Sequence, residues 1–162
     1  EKDNAVKANP NLIKVKQKDK KLGYVGKIKK INTKKILSIL NKKIIPVFSP
    51  LGVNGNKSMY NINADTLATE LAVSLKAEKL TLVTNVDGVL EKNNLISHLS
   101  IKDANKKIKK GIIKEGMIPK VQACIHAVKA KVKKAHLING TTKHSLLIEI
   151  FTDKGIGTEI VK

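Results

Sequence analysis

"YNINADTLATELAVSLKAEKLTLVTNVDGVL", Tyr60 to Leu90, decides the fold. Leu67, Leu71 and Leu75 recur every four residues, and Ala68 and Ala72 widen the same stripe, so a helix is expected to begin around Asn63 to Asp65. Leu80 to Thr84 follows as a short apolar run, which reads as a buried strand, and a Gly-containing loop comes next. Polar residues stand at both ends of this helix–strand unit: Asn61, Asn63 and Asp65 before it, Thr84, Asn85 and Asp87 after it. A purely structural unit requires neither cluster, so the question is what they hold.

The rest of the chain repeats the alternation. Leu12 to Ile31, with glycines at 23 and 26, suits a hairpin. Thr33 to Asn41 reads as a short helix, and Ile44 to Ser49, IIPVFS, as a buried parallel strand. Downstream, helices are expected over Ser100–Lys110, from Pro119 onward, and over Ser145–Phe151, with strands from Ala135 and at GIGTEIV. Strands alternating with helices predict an α/β fold with a mainly parallel sheet sandwiched by helices. In such sheets ligands bind beyond the carboxyl ends of the strands, where the polar clusters fall.

Composition narrows the partners. A length of 162 residues with 41% apolar content supports one ordinary domain or two small lobes, and 2% aromatic content makes the core aliphatic. No apolar run reaches the roughly 18–20 residues of a membrane span, and the first ten residues have no signal-peptide character. The single Cys124 excludes an internal disulfide framework and reads as a small core residue. A protein of a reducing compartment is expected, with no membrane partner. The net charge of +19 points first to nucleic acid, but all 32 basic residues are lysine and they are scattered. Without arginine there is no bidentate guanine readout, and few aromatics are present to stack on bases. Nucleic acid is therefore an unfavoured partner.

Three clusters carry chemistry. In extended or helix-entry conformation the i, i+2, i+4 spacing sends Asn61, Asn63 and Asp65 to one side. Two amides there can donate to a carboxylate or acyl oxygen, and the aspartate can orient lysines or a metal. One of Asn63 and Asp65 is also expected to cap the helix. Thr84 to Leu90 follows a buried strand, so its amides and short side chains can hold a ribose or phosphates; an ordinary Asp-Gly turn is the alternative. Gly111 to Val121 places glycines before a proline-initiated helix, a candidate anion site with Lys120 in the first turn. No P-loop or GxGxxG is present. His98, His126, His136 and His144 lack metal-ligand or triad spacing and are expected in surface or packing roles.

In combination, YNINAD, TNVDGVL, EGMIPKV and HSLLIEIFTDKGIGTEIV resemble the acetylglutamate kinases of the amino acid kinase family, with GYVGKI and IPVFSPLGV fitting upstream. The resemblance implies transfer of the γ-phosphoryl group of ATP, with Mg2+, to the side-chain carboxylate of N-acetyl-L-glutamate, in arginine biosynthesis and in the cytoplasm or a plastid stroma. It implies Asn61 and Asn63 on the substrate, Asp65 orienting catalytic lysines, and Lys120 stabilising the transferring phosphoryl group. Thr84, Asn85, Asp87, Gly88, Leu90, Ile113, Gly116 and Met117 would hold the nucleotide, and Glu149, Gly155 and Gly157 an arginine effector. Residues 1–77 would be the remainder of an acid-substrate lobe and 78–162 a nucleotide lobe. The family's other catalytic lysine and its Gly-Gly substrate loop have no counterpart, so the chain resembles a truncated form with little turnover alone, its complete enzyme a homo-oligomer. Asn85 stands where relatives carry aspartate, and Glu115 where many carry glycine. Another carboxylate or carbamate kinase of the superfamily is the nearest alternative, and a non-catalytic basic nucleic-acid-binding module the more distant one.

Overall fold

The computed structural model describes residues 5–15, 18–114, 116–152 and 155–162, with the side chains of 11–22 left aside. It divides into two compact units, residues 1–75 and 76–162.

The first unit is built on a long hairpin. β1 (Val6–Val15) and β2 (Lys18–Ile31) pair antiparallel, and the short β3 (Leu51–Val53) and β4 (Met59–Asn61) close them into a barrel in the order β1-β2-β4-β3. The inward residues of alternating strands meet one helix stripe: Val6, Ala8, Tyr60, Ile62 and Leu67 form the core, with Phe48 and Leu71 against it. Helix α1 (Thr33–Leu40) starts at Asn32, whose side chain accepts the Lys35 N–H. Helix α2 (Ala64–Ser74) starts at Asn63, whose Oδ1 accepts the Thr66 N–H at 3.0 Å. Of the two candidate caps, Asn63 is the one used.

One expectation fails here. Ile44 to Ser49 forms no strand, and Ile45 and Val47 are 87% and 94% exposed. An apolar run becomes a buried strand only when neighbours pair with it, and Pro46 removes a ladder donor from its middle. No strand among the described residues pairs with it.

The second unit is a four-stranded sheet in the order β5-β9-β10-β8: β5 (Lys79–Thr84), β9 (Lys134–Asn139), β10 (Thr158–Val161) and β8 (His98–Ser100). A small hairpin of β6 (Leu90–Glu91) and β7 (Asn94–Leu95) lies between β5 and β8 in sequence. Helices α3 (Ile101–Lys109), α4 (Ile118–Lys129) and α5 (Ser145–Phe151) connect the strands. The α4 stripe of Val121, Cys124, Ile125 and Val128 packs into a core with Leu137, Ile138 and Ile160, and Cys124 is fully buried.

The α/β class expected from the sequence stands, in the form of mixed sheets. β5–β9 and β10–β8 are parallel, whereas β9–β10 is antiparallel, as is the hairpin of the first unit. The chain turns back after α5 at Gly157, whose φ of +85° suits glycine. A Cβ there would lie 2.0 Å from the Leu137 carbonyl oxygen, so only glycine lets the returning strand approach β9 this closely. No helix among the described residues is long and apolar enough to cross a membrane.

Candidate functional site

In the second unit, parallel strands β5 and β9 end side by side, with Thr84 opposite Asn139. Past these ends the backbone carries short polar side chains. Asn139 Nδ2 donates to Asp87 Oδ1 at 2.8 Å, and Asn139 Oδ1 accepts from the Thr141 N–H and hydroxyl at 2.9 and 2.8 Å. The Gly140 N–H closes the rim by donating to the Thr84 carbonyl at 2.8 Å. Thr84, Asn85, Asp87, Asn139 and Thr141 thus form one polar edge. The sequence reading missed Asn139 to Thr141, although N-G-T-T after a buried strand repeats the pattern of T-N-V-D-G.

Beside this edge opens a cavity of about 500 Å³, lined mostly by apolar groups. Gly88, Val89, Leu90 and Val86 contribute one wall, and Ile112, Ile113 and Met117 another. The wall is held at Val89, whose N–H donates to Thr158 Oγ1 at 2.8 Å and whose carbonyl accepts the Ile96 N–H at 2.9 Å. Gly88 makes that approach possible, because a Cβ would stand 2.5 Å from the same Oγ1. An apolar slot with a polar edge at strand carboxyl ends fits a flat heteroaromatic base with its ribose and phosphates outside.

The expected nucleotide residues are therefore distributed as follows. Gly88, Leu90, Ile113 and Met117 line the cavity, and Thr84, Asn85 and Asp87 lie on the polar edge. Gly116 is exposed and does not line it, and Glu115 lies outside the described residues. Helix α4 begins without a side-chain cap, since Met117 offers none and Pro119 stands in the first turn. Lys120 follows, half-buried. The Ile118 N–H already donates to the Lys114 carbonyl at 3.2 Å, so fewer donors face outward there than the sequence implies. In the first unit, Asn61 and Asn63 are exposed and Asp65 is partly buried in the first turn of α2. Among the described residues no three His, Cys, Asp or Glu side chains stand together to hold a metal ion.

The second unit also carries a charged cavity of about 250 Å³. Glu149, on α5, is only 2% exposed. Its Oε1 meets Lys79 Nζ at 2.9 Å and His136 Nδ1 at 2.6 Å, and its Oε2 accepts the Ile156 N–H at 3.0 Å. Burial pushes the carboxyl up, but the Ile156 amide, Lys79 and His136 outweigh it and hold it below the ordinary carboxylate value. Gly155 and Gly157 line the same cavity, so the three residues that the family resemblance groups, Glu149, Gly155 and Gly157, lie together. His136 does not fit its expected bland role: it is buried between Glu149 and Glu159. Burial holds its imidazole below the ordinary value.

Residues 2–139 match the amino acid kinase family. The chain belongs to that family. It is 50% identical over 145 residues to an acetylglutamate kinase of Halothermothrix orenii, covering 87% of this chain and 50% of that protein. An acetylglutamate kinase of Aquifex aeolicus is 49% identical over 140 residues, covering 86% and 47%. The chain spans about half the length of the curated relatives it matches. Among solved structures, N-acetylglutamate synthase from Neisseria gonorrhoeae, determined with coenzyme A and L-arginine, superposes with a TM-score of 0.88 at 29% identity, covering 98% of this chain and 37% of that one. Carbamate kinase from Giardia lamblia, at 19% identity and a TM-score of 0.67, shares the fold.

Proposed function

We propose that this chain carries the nucleotide site and part of the acid site of an acetylglutamate kinase. The observation that carries the reading is the apolar cavity beside a polar edge at the ends of β5 and β9, in a chain about 50% identical to acetylglutamate kinases. The base of ATP lies between the Gly88–Leu90 wall and Ile113 and Met117. The ribose and phosphates run along Thr84, Asn85 and Asp87, and Mg2+ enters bound to the phosphates. In the reaction a carboxylate oxygen of N-acetyl-L-glutamate attacks the γ-phosphorus, and the bond to the β-phosphate oxygen breaks, leaving ADP and an acyl phosphate. Two anions must approach, so positioning and positive charge supply most of the acceleration. Asn61 and Asn63 position the substrate, Asp65 orients cationic side chains, and Lys120 takes up charge on the transferring group. Asn63 Oδ1 already caps α2, so its amide Nδ2 is the atom offered to substrate.

Because the chain spans about half of those relatives, nucleotide binding is the direct test. Calorimetry should show Mg-ATP binding displaced by ADP; a folded chain that binds neither overturns the reading. With acetylglutamate, Mg-ATP and a coupled ADP assay, little or no turnover is expected from these residues alone. Arginine biosynthesis is the process in which this reaction belongs, and the cytoplasm its place.

The charged cavity supports a second, regulatory reading: arginine as effector at Glu149, Gly155 and Gly157. A buried carboxylate with further acceptors around it suits a guanidinium, and the 29%-identical synthase was solved with L-arginine. Arginine titrated into the chain tests it directly.

A further inference from the structure

On the polar edge at the ends of β5 and β9, Asp87 carries a carboxylate, which accepts hydrogen bonds and offers none. Its setting is fixed from β9. The Thr141 N–H can only donate, and it meets Asn139 Oδ1 at 2.9 Å, so the Asn139 amide cannot be turned over. The Thr141 hydroxyl donates to the same oxygen at 2.8 Å. Nδ2 therefore faces Asp87, and holds its Oδ1 at 2.8 Å. Asn139 is itself half-buried at the strand end, where the Gly140 N–H is tied to the Thr84 carbonyl. A backbone donor thus orients the amide, and the amide orients the carboxylate. Among the described residues Oδ2 of Asp87 receives no donor, and the side chain is exposed.

The position of this oxygen decides which part of a nucleotide meets it. Val86 and Gly88, on either side of Asp87, line the apolar cavity, and Asp87 does not. The carboxylate therefore stands at the rim, one residue from the slot that takes the base. An anion that only accepts repels phosphate oxygens and gains nothing from an apolar ring face. It takes a hydroxyl donor, and the sugar is the first part of a nucleotide outside the slot. We propose that Asp87 Oδ2 accepts a ribose hydroxyl, with Asn139 as its positioning residue, so that the site selects ribonucleotides over deoxyribonucleotides. This rests on the nucleotide reading above and adds the specificity of that site. Acidic side chains near strand ends take ribose hydroxyls by the same chemistry in dinucleotide-binding folds. Because Asn139 holds the carboxylate in advance, binding does not have to order it. The phosphates run on to Asn85, whose Oδ1 is turned to the Thr84 hydroxyl at 3.5 Å, leaving Nδ2 to donate to them.

The experiment is calorimetric titration of the chain with the Mg2+ complexes of ATP, 2′-deoxy-ATP and 3′-deoxy-ATP at neutral pH and fixed salt. ATP should bind at least about tenfold more tightly than one of the deoxy analogues, the worth of one hydrogen bond to a charged acceptor. Asp87→Ala should erase that ratio by weakening ATP while the disfavoured analogue keeps its constant. Asn139→Ala should shrink the ratio in the same one-sided way, whereas a merely structural role would weaken all three nucleotides alike. A ratio left intact in the Asn139 variant overturns its positioning role. Equal binding of the three by the unsubstituted chain overturns the ribose assignment and leaves the nucleotide reading standing. A loss shared equally by all three in Asp87→Ala also overturns it, and puts Asp87 on the Mg2+ instead. A folded chain that binds none of them overturns the nucleotide reading, and the assignment with it. If Asn139→Ala does not fold, the isosteric Asn139→Asp, which turns an acceptor toward Asp87, takes its place with the same expected outcome.

Discussion

Replacing Gly157 by alanine tests the chain reversal on which the second unit and its charged cavity depend. Gly111 serves as the matched control. Both glycines have positive φ, +85° and +69°, but an added Cβ at Gly111 meets nothing within 4 Å. Alanine at 111 should therefore show the backbone effect alone. That is about 1–2 kcal/mol of left-handed strain, offset by about 0.4–1 kcal/mol from a less flexible unfolded chain. At Gly157 the new Cβ would stand 2.0 Å from the Leu137 carbonyl oxygen, where ordinary contact begins at 3.4 Å. The obstacle is main chain, so the backbone must move by the difference, 3.4 minus 2.0, about 1.4 Å. The Thr158–Leu137 pair opens the β9–β10 ladder, and the displacement falls on it. Losing one or two ladder hydrogen bonds costs roughly 0.5–1.5 kcal/mol each, and orphaning the buried Val89 N–H about 1–3 kcal/mol more. Gly157→Ala should thus destabilise by about 3–5 kcal/mol, against roughly 0.5–1 kcal/mol for Gly111→Ala. Urea unfolding followed by far-UV circular dichroism at neutral pH reads both. A difference between the two variants below about 1 kcal/mol would refute the close-approach argument.

Thr158→Val keeps the shape but removes the acceptor of the Val89 N–H; a loss of about 1–3 kcal/mol and weaker Mg-ATP binding are expected, from urea melts and calorimetry. Leu90→Glu puts a carboxylate on a half-exposed wall of the nucleotide cavity, and the Mg-ATP dissociation constant should rise at least tenfold with stability nearly unchanged; unaltered binding would remove the cavity from the nucleotide site. Ser100→Ala deletes the α3 cap, whose hydroxyl accepts the Asp103 N–H at 3.0 Å, and should cost about 1 kcal/mol by the same urea assay. Stability should also fall with acid in two stages. The folded His136 resists protonation, so the unfolded chain takes up a proton first below the ordinary value of 6.5. Glu149, lowered in the folded state, stabilises above 4.5 and loses that contribution below it. Each stage has a slope of at most about 1.4 kcal/mol per pH unit, and His136→Gln should abolish the upper one.

The parts that sequence reading finds are those whose cause is local. The α2 stripe of Leu67, Leu71 and Leu75 and the Leu80–Thr84 run are set by near neighbours, and Asn63, Ser100 and Pro119 mark helix starts by their own chemistry. What it misses depends on distant partners. IIPVFS has the composition of a buried strand, but pairing is a property of the neighbours and not of the run. The antiparallel return of β10 hinges on one glycine with a positive φ and a carbonyl twenty residues upstream in sequence (Gly157 and Leu137). The charged cavity is assembled from β5, β8, β9, α5 and β10, so no window of the sequence contains it. A clue to it was nevertheless present. His136 and Glu159 each sit among buried strand residues, Ala135, Leu137 and Ile138 in β9 and Thr158 and Ile160 in β10, and an ionisable group buried there costs free energy unless something pairs with it. Two such residues in two strands predict each other as partners. The structure sets them side by side, His136 Nε2 3.5 Å from Glu159 Oε1, with Glu149 on the other side of the ring, so the pairing that burial demands is met across three elements distant in sequence.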